Sequence, residues 1–260
     1  MPYLDLSQHR LHYRLDGDDP GKPWLIFCNS LGTDLHMWDG QVGALAQAFR
    51  ILRYDRRGHG LSSTPPAPYT LAELAEDILA LMDSLAIERA HFCGLSIGGL
   101  VGQWLAIHAG HRFDKFILCA TAARIGNPGS WQERIETVTM DGLSPLIAGT
   151  KERWFTPGFT AHAPDTVRQL ITTFEETSVE GYVGCCAALR DADLRSDLGR
   201  IPHPVLAISG EEDPVCPFGD LDLIATSVLR GRHLPLPGRH IVNLEAADRF
   251  NASLAHFLGT

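Results

Sequence analysis

The stretch Gly94-Leu95-Ser96-Ile97-Gly98 decides the fold of this chain, because it sets a serine between a predicted strand and a predicted helix. Residues 90–93 before it form a short apolar run, and residues 98–108 after it carry apolar side chains at helical spacing. Glycines two positions from the serine on each side permit a turn in which larger side chains would collide with the neighbouring strand and helix. We therefore predict a strained Ser96, its hydroxyl lifted out of a sheet and the start of a helix beneath it.

Composition bounds the class of protein. The 260 residues are 45% hydrophobic, which suits a single α/β core domain with room for an insertion. The formal net charge of -9 argues against a nucleic acid partner. The first residues show no signal-peptide pattern, and no uninterrupted apolar run approaches the roughly 18 residues of a membrane span. The sequence therefore predicts a cytoplasmic protein that binds neither nucleic acid nor a membrane.

The six cysteines are predicted to be reduced structural thiols. None forms a Cys-x-x-Cys pair, and Cys28, Cys93 and Cys119 each fall within a predicted buried strand, where cysteine behaves as a small apolar residue. We expect no disulfide and no metal site.

Strand and helix patterns alternate along most of the chain. Residues 4–15 alternate like an antiparallel hairpin, and the fully apolar run 24–28 predicts a strand covered on both faces. Helical periodicity spans residues 71–85, with Thr70 as the predicted N-cap. Further strands are predicted at 51–55, 116–120, 205–209 and 232–236, and further helices at about 220–229 and 246–258.

Between about residues 122 and 199 this alternation stops, and helical patterns punctuated by proline and glycine take its place. The predicted fold class is therefore α/β, with a mostly parallel twisted sheet flanked by helices. We assign residues 1–121 and 200–260 to this core, and residues 122–199 to a helical cap inserted after a central strand. Such an insertion would lie above the carboxyl edge of the sheet, where ligands bind in open α/β folds.

A nucleophilic serine needs a base, and the base needs an acid to orient it. The turn after the predicted strand 205–209 offers three carboxylates, Glu211, Glu212 and Asp213. The turn after the predicted strand 232–236 carries His240, which we take as the base.

Two motifs resemble the α/β-hydrolase superfamily, and the resemblance spans nearly the whole chain. They are Gly-x-Ser-x-Gly-Gly at 94–99 and Asp-x-Arg-Gly-x-Gly-x-Ser at 55–62. The resemblance implies the chain order nucleophile, acid, base, and its spacing selects Asp213 as the acid. It also implies an oxyanion hole formed by the backbone N–H groups of Leu31 and Ile97. His59, within the second motif, is interpreted as a structural turn residue, not as a catalytic residue or a ligand.

A narrower resemblance joins the chain to the 3-oxoadipate enol-lactone hydrolases of aromatic catabolism, which act in the β-ketoadipate pathway. It rests on residues 29–38, 121–126, 153–156 and 181–195. It implies hydrolysis of a small anionic enol-lactone to 3-oxoadipate through an acyl-enzyme on Ser96, without a metal or organic cofactor. Arg239, directly before the base, and Cys186-Ala187 in the cap depart from the family pattern and leave room for another ester or lactone.

The substrate carboxylate would require a cation or several hydrogen-bond donors. The candidates are four arginines of the predicted cap: Arg124, Arg134, Arg153 and Arg190. Trp131 and Trp154 either line the lactone pocket or form the core of the cap, and Ser30 is a candidate beside the oxyanion hole.

The sequence leaves three alternative functions open. A general carboxylesterase or lactonase and a carbon–carbon bond hydrolase of the same superfamily would use the same triad. A non-enzymatic ligand receptor on a hydrolase scaffold is disfavoured, because such scaffolds usually lose a triad member and all three candidates are present here.

Overall fold

The structure, a computed structural model, describes residues 2–259. Within them eight strands form one sheet in the order β1-β2-β4-β3-β5-β6-β7-β8. The strands are β1 (Tyr3–Asp5), β2 (Arg10–Asp16), β3 (Trp24–Cys28), β4 (Arg50–Tyr54), β5 (Ala90–Leu95), β6 (Phe113–Cys119), β7 (Pro204–Gly210) and β8 (Arg230–Leu236). The pairs β1–β2 and β2–β4 are antiparallel, and all other pairs are parallel. The predicted α/β class with a mostly parallel sheet is confirmed.

Helices flank this sheet. They are α1 (Asp39–Leu45), α2 (Leu71–Ser84), α3 (Ile97–His108), α9 (Phe218–Ser227), α10 (Val242–Glu245) and α11 (Ala247–Leu258). Helix α2 begins at the predicted cap: the Thr70 hydroxyl accepts a bond from the Glu73 N–H, and the Glu73 carboxylate accepts one from the Thr70 N–H. This reciprocal capping satisfies two backbone donors that the first turn leaves free.

Five helices lie between β6 and β7: α4 (Pro128–Asp141), α5 (Ile147–Trp154), α6 (Pro157–His162), α7 (Pro164–Glu175) and α8 (Val179–Asp191). Three of them begin with proline, whose fixed φ and missing N–H suit the first helical position. Three of the prolines predicted to punctuate this segment therefore start helices. Helix α4 packs along α8, and the described residues 120–203 contain no strand.

The core of the molecule surrounds the central strands. Every residue of β5 is buried, as are four of the five residues of β3. All six cysteines are buried and unpaired. No helix within residues 2–259 has the length and apolar character needed to cross a membrane.

Candidate active site

The turn between β5 and α3 holds Ser96 in a strained conformation, with φ 60° and ψ -121°. A side chain at Gly94 would meet the carbonyl of Gly98, and one at Gly98 would meet the carbonyl oxygen of Cys28 on the neighbouring strand. The main chain of Ser96 is held on both sides, because its N–H donates to Cys119 O at 2.9 Å and its carbonyl accepts the Thr121 hydroxyl at 2.7 Å. Such strain persists only where the surroundings over-determine it.

A buried carboxylate–imidazole pair lies at the carboxyl ends of β7 and β8. Asp213 Oδ2 accepts a hydrogen bond from His240 Nδ1 at 2.9 Å, and both residues are buried. Asp213 Oδ1 accepts the backbone N–H of Val215 at 2.8 Å. These bonds hold the carboxylate in one orientation. Glu211 and Glu212 are exposed instead.

Ser96 and His240 line the same small cavity, of about 50 Å³. Within residues 2–259 no hydrogen bond joins the Ser96 hydroxyl to the imidazole. Contacts of this kind are often long in a ligand-free site and shorten in the substrate complex. Ser30 and Leu31 also line the cavity. The N–H groups of Leu31 and Ile97 donate to no acceptor within residues 2–259.

Cys216 completes a group of three potential metal ligands with Asp213 and His240, whose ligand atoms lie within 4.8 Å of one another. Burial, followed by the charge of Asp213, raises the pKa of the Cys216 thiol well above its ordinary value, so the thiol stays protonated. Asp213 and His240 are joined by a hydrogen bond, which is the arrangement of an orienting acid and a base.

The remaining cavity wall comes from the helical segment between β6 and β7. It consists of Trp131, Arg134, Thr150, Arg153, Trp154, Phe174, Tyr182 and Leu189. Of the candidate pocket residues, Ser30, Trp131, Arg134, Arg153 and Trp154 are thus brought together. The sequence did not single out Thr150, Phe174, Tyr182 or Leu189, because their helical spacing is that of ordinary packing residues.

The structure does not bring Arg124 to this cavity, contrary to its selection as a substrate-binding candidate. Its guanidinium pairs with Asp193 at 3.3 Å. Arg190 likewise lies outside the cavity wall and pairs with Asp191 at 2.8 Å. Both arginines are therefore paired with aspartates outside the cavity.

Arg134 and Arg153 have no such partners, since no carboxylate of residues 2–259 lies within 4.0 Å of either guanidinium. Arg134 donates to the Tyr182 hydroxyl at 3.1 Å, and Arg153 donates to the Thr150 hydroxyl at 3.3 Å. Burial, and then the nearby charge of Arg134, lower the pKa of Arg153. Within residues 2–259 these two like charges on one wall of the cavity have no carboxylate within 4.0 Å, so the wall is suited to an anion.

Arg239 ties the His240 turn to helix α5. Its Nη1 donates to the carbonyl oxygens of Glu152 and Phe155. The N–H of Ile241, on the other side of His240, donates to Trp154 O at 3.2 Å. The turn that carries the imidazole is therefore anchored to the helix that carries Arg153.

His59 lies beneath the loop that follows β3. Its Nε2 accepts the Gly32 N–H at 3.0 Å, and its Nδ1 bonds to Arg57 O at 3.2 Å. A ring that accepts at Nε2 and donates at Nδ1 is neutral. Burial, and next the charge of Arg56, lower the pKa of His59 to about 3.

In His59→Gln we expect the free energy of unfolding to fall less steeply with decreasing pH than in the wild type. The folded protein keeps this ring neutral down to about pH 3, whereas the unfolded chain takes up the proton near pH 6.5. The free energy of unfolding should therefore fall below pH 6.5, with this group contributing as much as about 1.4 kcal/mol per pH unit. Denaturant unfolding between about pH 7 and pH 4 measures the slope. The exposed His111→Gln serves as control and should keep the wild-type slope, and an unchanged slope in His59→Gln would contradict the prediction.

Comparison with known proteins agrees with this geometry. A family model described as alpha/beta hydrolase fold matches residues 23–247. "3-oxoadipate enol-lactonase 2" of Acinetobacter baylyi is 44% identical over 230 residues, covering 88% of this chain and 86% of the relative. "3-oxoadipate enol-lactonase 1" of the same organism is 38% identical over 228 residues, covering 88% of this chain and 85% of the relative.

A solved structure extends the match to the whole molecule. The enol-lactonase from Burkholderia xenovorans LB400 superposes with a TM-score of 0.97 at 42% identity, covering 100% of both chains. The chain therefore belongs to the α/β-hydrolase family and, within it, to the group whose members are named 3-oxoadipate enol-lactonases.

Proposed function

We propose that this protein is a serine hydrolase that opens the ring of 3-oxoadipate enol-lactone to give 3-oxoadipate. The observation that carries the proposal is the unpaired cationic wall of Arg134 and Arg153 in the cavity that also contains Ser96 and His240. The names of the two Acinetobacter relatives and of the Burkholderia structure support the same reaction.

In this proposal Ser96, His240 and Asp213 act as a catalytic triad. Ser96 Oγ attacks the lactone carbonyl while His240 takes the hydroxyl proton, and Asp213 stabilises the imidazolium that forms. The N–H groups of Leu31 and Ile97 donate to the oxyanion of the tetrahedral intermediate. Both are free of protein acceptors within residues 2–259, which supports this role.

Collapse of the intermediate breaks the ring C–O bond and releases an enol oxygen that remains tethered to the acyl group. His240 returns its proton to that oxygen, and the enol becomes the ketone. Water, deprotonated by His240, then attacks the acyl carbon. The bond from that carbon to Ser96 Oγ breaks, His240 returns the proton to Oγ, and the second carboxylate of 3-oxoadipate is released. None of these steps requires a metal or an organic cofactor.

The acetate carboxylate of the substrate would be bound by Arg134 and Arg153. Charge-assisted hydrogen bonds to a carboxylate are shorter and stronger than neutral ones. Within residues 2–259 no acceptor lies within hydrogen-bonding distance of the Tyr182 hydroxyl proton, which leaves a third donor on the same wall. Ser30 lines the cavity from the loop that follows β3, and Trp131 and Trp154 provide apolar surface for the ring.

We also propose that residues 122–199 act as a cap over a core formed by residues 1–121 and 200–260. The support is that all the arginine and aromatic side chains of the cavity wall come from this segment. We place the enzyme in the cytoplasm, where six buried unpaired thiols would stay reduced.

A substrate panel tests the proposal. Purified protein is given the enol-lactone, a neutral butenolide and p-nitrophenyl acetate, and kcat/KM is measured for each against its rate in buffer. We expect the enol-lactone to exceed the other two by about 100-fold, because only its carboxylate engages the arginine wall. Equal values would favour a general esterase, and no loss of lactone above the buffer rate would eliminate the proposed reaction.

A further inference from the structure

Arg56 is a buried cation for which residues 2–259 provide no counter-ion. The residue is 1% exposed, and no carboxylate of that range lies within 4.0 Å of it. Its Nε likewise has no hydrogen-bond partner among the described residues. The adjacent Arg57 is also buried, but it forms two bonds with Asp77, at 2.7 and 2.8 Å. Because burial of an unpaired charge is costly, the position of Arg56 calls for a role that Arg57 does not share.

The guanidinium of Arg56 lies under the loop that follows β3. Nη2 donates to Asn29 O at 2.7 Å, and Nη1 donates to Ser30 O at 3.3 Å. Thr33 Oγ1 adds a second bond to Ser30 O at 3.0 Å. The guanidinium thus holds two consecutive carbonyl groups of this loop on its own side.

This arrangement determines where the Leu31 N–H points. Ser30 C=O and Leu31 N–H belong to one trans peptide unit, in which the two groups point in opposite directions. A carbonyl drawn toward Arg56 therefore turns the N–H away from Arg56. Ser30, Leu31 and Ser96 line the same cavity.

The flanking N–H groups of the loop are already engaged. Ser30 N–H donates to Met37 Sδ at 3.3 Å, and Gly32 N–H donates to His59 Nε2 at 3.0 Å. Leu31 N–H, between them, donates to no acceptor within residues 2–259. Of these three consecutive N–H groups only that of Leu31 has no acceptor within residues 2–259, and it belongs to the peptide that Arg56 holds.

We propose that Arg56 is a positioning residue for the oxyanion hole, one that orients and polarises the Ser30–Leu31 peptide. The inference rests on the proposed function, in which Leu31 N–H donates to the oxyanion. A charged donor on the carbonyl end of a peptide strengthens the N–H end as a donor, since hydrogen bonds in series polarise one another. The effect grows as negative charge develops on the oxyanion, so it favours the transition state over the bound substrate.

The test compares Arg56→Met, which removes the charge at similar volume, with Arg56→Lys, which keeps it but cannot bridge both carbonyls as the planar guanidinium does. Loss of a whole oxyanion donor costs about 100- to 1000-fold in kcat. A donor that is retained but misdirected should cost less, so we expect kcat to fall about 30-fold in Arg56→Met and about 5-fold in Arg56→Lys, with KM nearly unchanged. The Lys variant keeps the test available if the Met variant does not fold.

Two inhibitors separate positioning from general support of the fold. Phenylboronic acid forms a tetrahedral adduct with an active-site serine, and its Ki should rise by the same factor by which kcat falls. Adipate, a dicarboxylate that forms no oxyanion, should bind within twofold of wild type. Arg57→Met is the matched control: we expect lower thermal stability but an unchanged kcat. A folded Arg56 variant with wild-type kcat and wild-type boronate affinity would overturn the proposal, as would equal losses for boronate and adipate.

The same experiment distinguishes this inference from the proposed function. Rates are measured with the enol-lactone and with p-nitrophenyl acetate, because any ester passes through an oxyanion. If the wild type hydrolyses only the aryl ester, the proposed lactone specificity is wrong and the Arg56 comparison proceeds with that ester. Boronate binding requires no turnover and decides the role of Arg56 in either case.

Discussion

Ser96→Ala is expected to lower kcat for the enol-lactone by about 10⁴- to 10⁶-fold, the largest effect we predict. Loss of a triad serine elsewhere leaves only the catalysis that substrate binding and the oxyanion hole supply on their own. The substitution keeps the Cβ atom, so the strained backbone at φ 60° remains equally strained and the fold should be unaffected. Steady-state rates with concentrated enzyme, measured against the buffer rate, provide the test.

Two controls accompany this variant. Ser196→Ala alters an exposed serine and should retain wild-type activity. Adipate affinity and melting temperature of Ser96→Ala should both match wild type, because the arginines that line the cavity are unchanged. Full activity in Ser96→Ala would show that another group is the nucleophile. A strongly lowered melting temperature would mean that the loss of activity results from unfolding.

Arg153→Gln is expected to lower kcat/KM for the enol-lactone by about 100-fold, mainly through KM. A hydrogen bond to a charged group contributes about 1.5–3 kcal/mol, and about 1.4 kcal/mol corresponds to a tenfold change. The substrate carboxylate carries the same charge in the ground state and in the transition state. Losing its contact with Arg153 should therefore weaken both states equally and leave kcat nearly unchanged. Initial rates over a range of lactone concentrations separate the two constants.

A neutral substrate provides the contrast for this prediction. The methyl ester of the lactone side chain lacks the anionic charge, so wild type and Arg153→Gln should hydrolyse it within about threefold of each other. Arg124→Gln is the matched control, because Arg124 pairs with Asp193 outside the cavity, and it should leave both substrates unaffected. Melting temperature should not fall in Arg153→Gln, since the change removes a cation whose pKa is already lowered by burial and by Arg134. Equal losses on the acid and on its methyl ester would refute a carboxylate-binding role.

Local features of the fold were predictable from the sequence because their causes are local. The Thr70 cap depends on a side chain and a backbone N–H three residues apart. Helix α1 was not predicted, because its seven residues include two glycines and few apolar side chains. The hydrogen bonds that hold this helix in place come from distant parts of the chain. The Gln41 amide donates to Asn243 O and to Asn251 Oδ1, both at 3.0 Å and more than 200 residues away along the chain.

The candidate site also combines features that follow from the local sequence with features that depend on tertiary packing. The glycines around Ser96 follow from the steric demands of one turn, and the order of Ser96, Asp213 and His240 follows the order of the strands that precede them. The four candidate arginines are equivalent in the sequence, since each lies on or beside a polar, helical segment. Arg124 and Arg190 have aspartates beside them at the surface, whereas Arg134 and Arg153 face the cavity.

By itself, then, the sequence determined the strained serine turn, the α/β class and the candidates for base and acid, because short-range sterics and periodicity control all three. Only the tertiary structure decided which arginines share a cavity with Ser96 and which peptide N–H groups are left free beside it. Both depend on how elements far apart in the chain pack together, as when Arg56 after β4 holds the Ser30 carbonyl after β3. No local pattern records such a contact, because the two segments meet only once the sheet has formed.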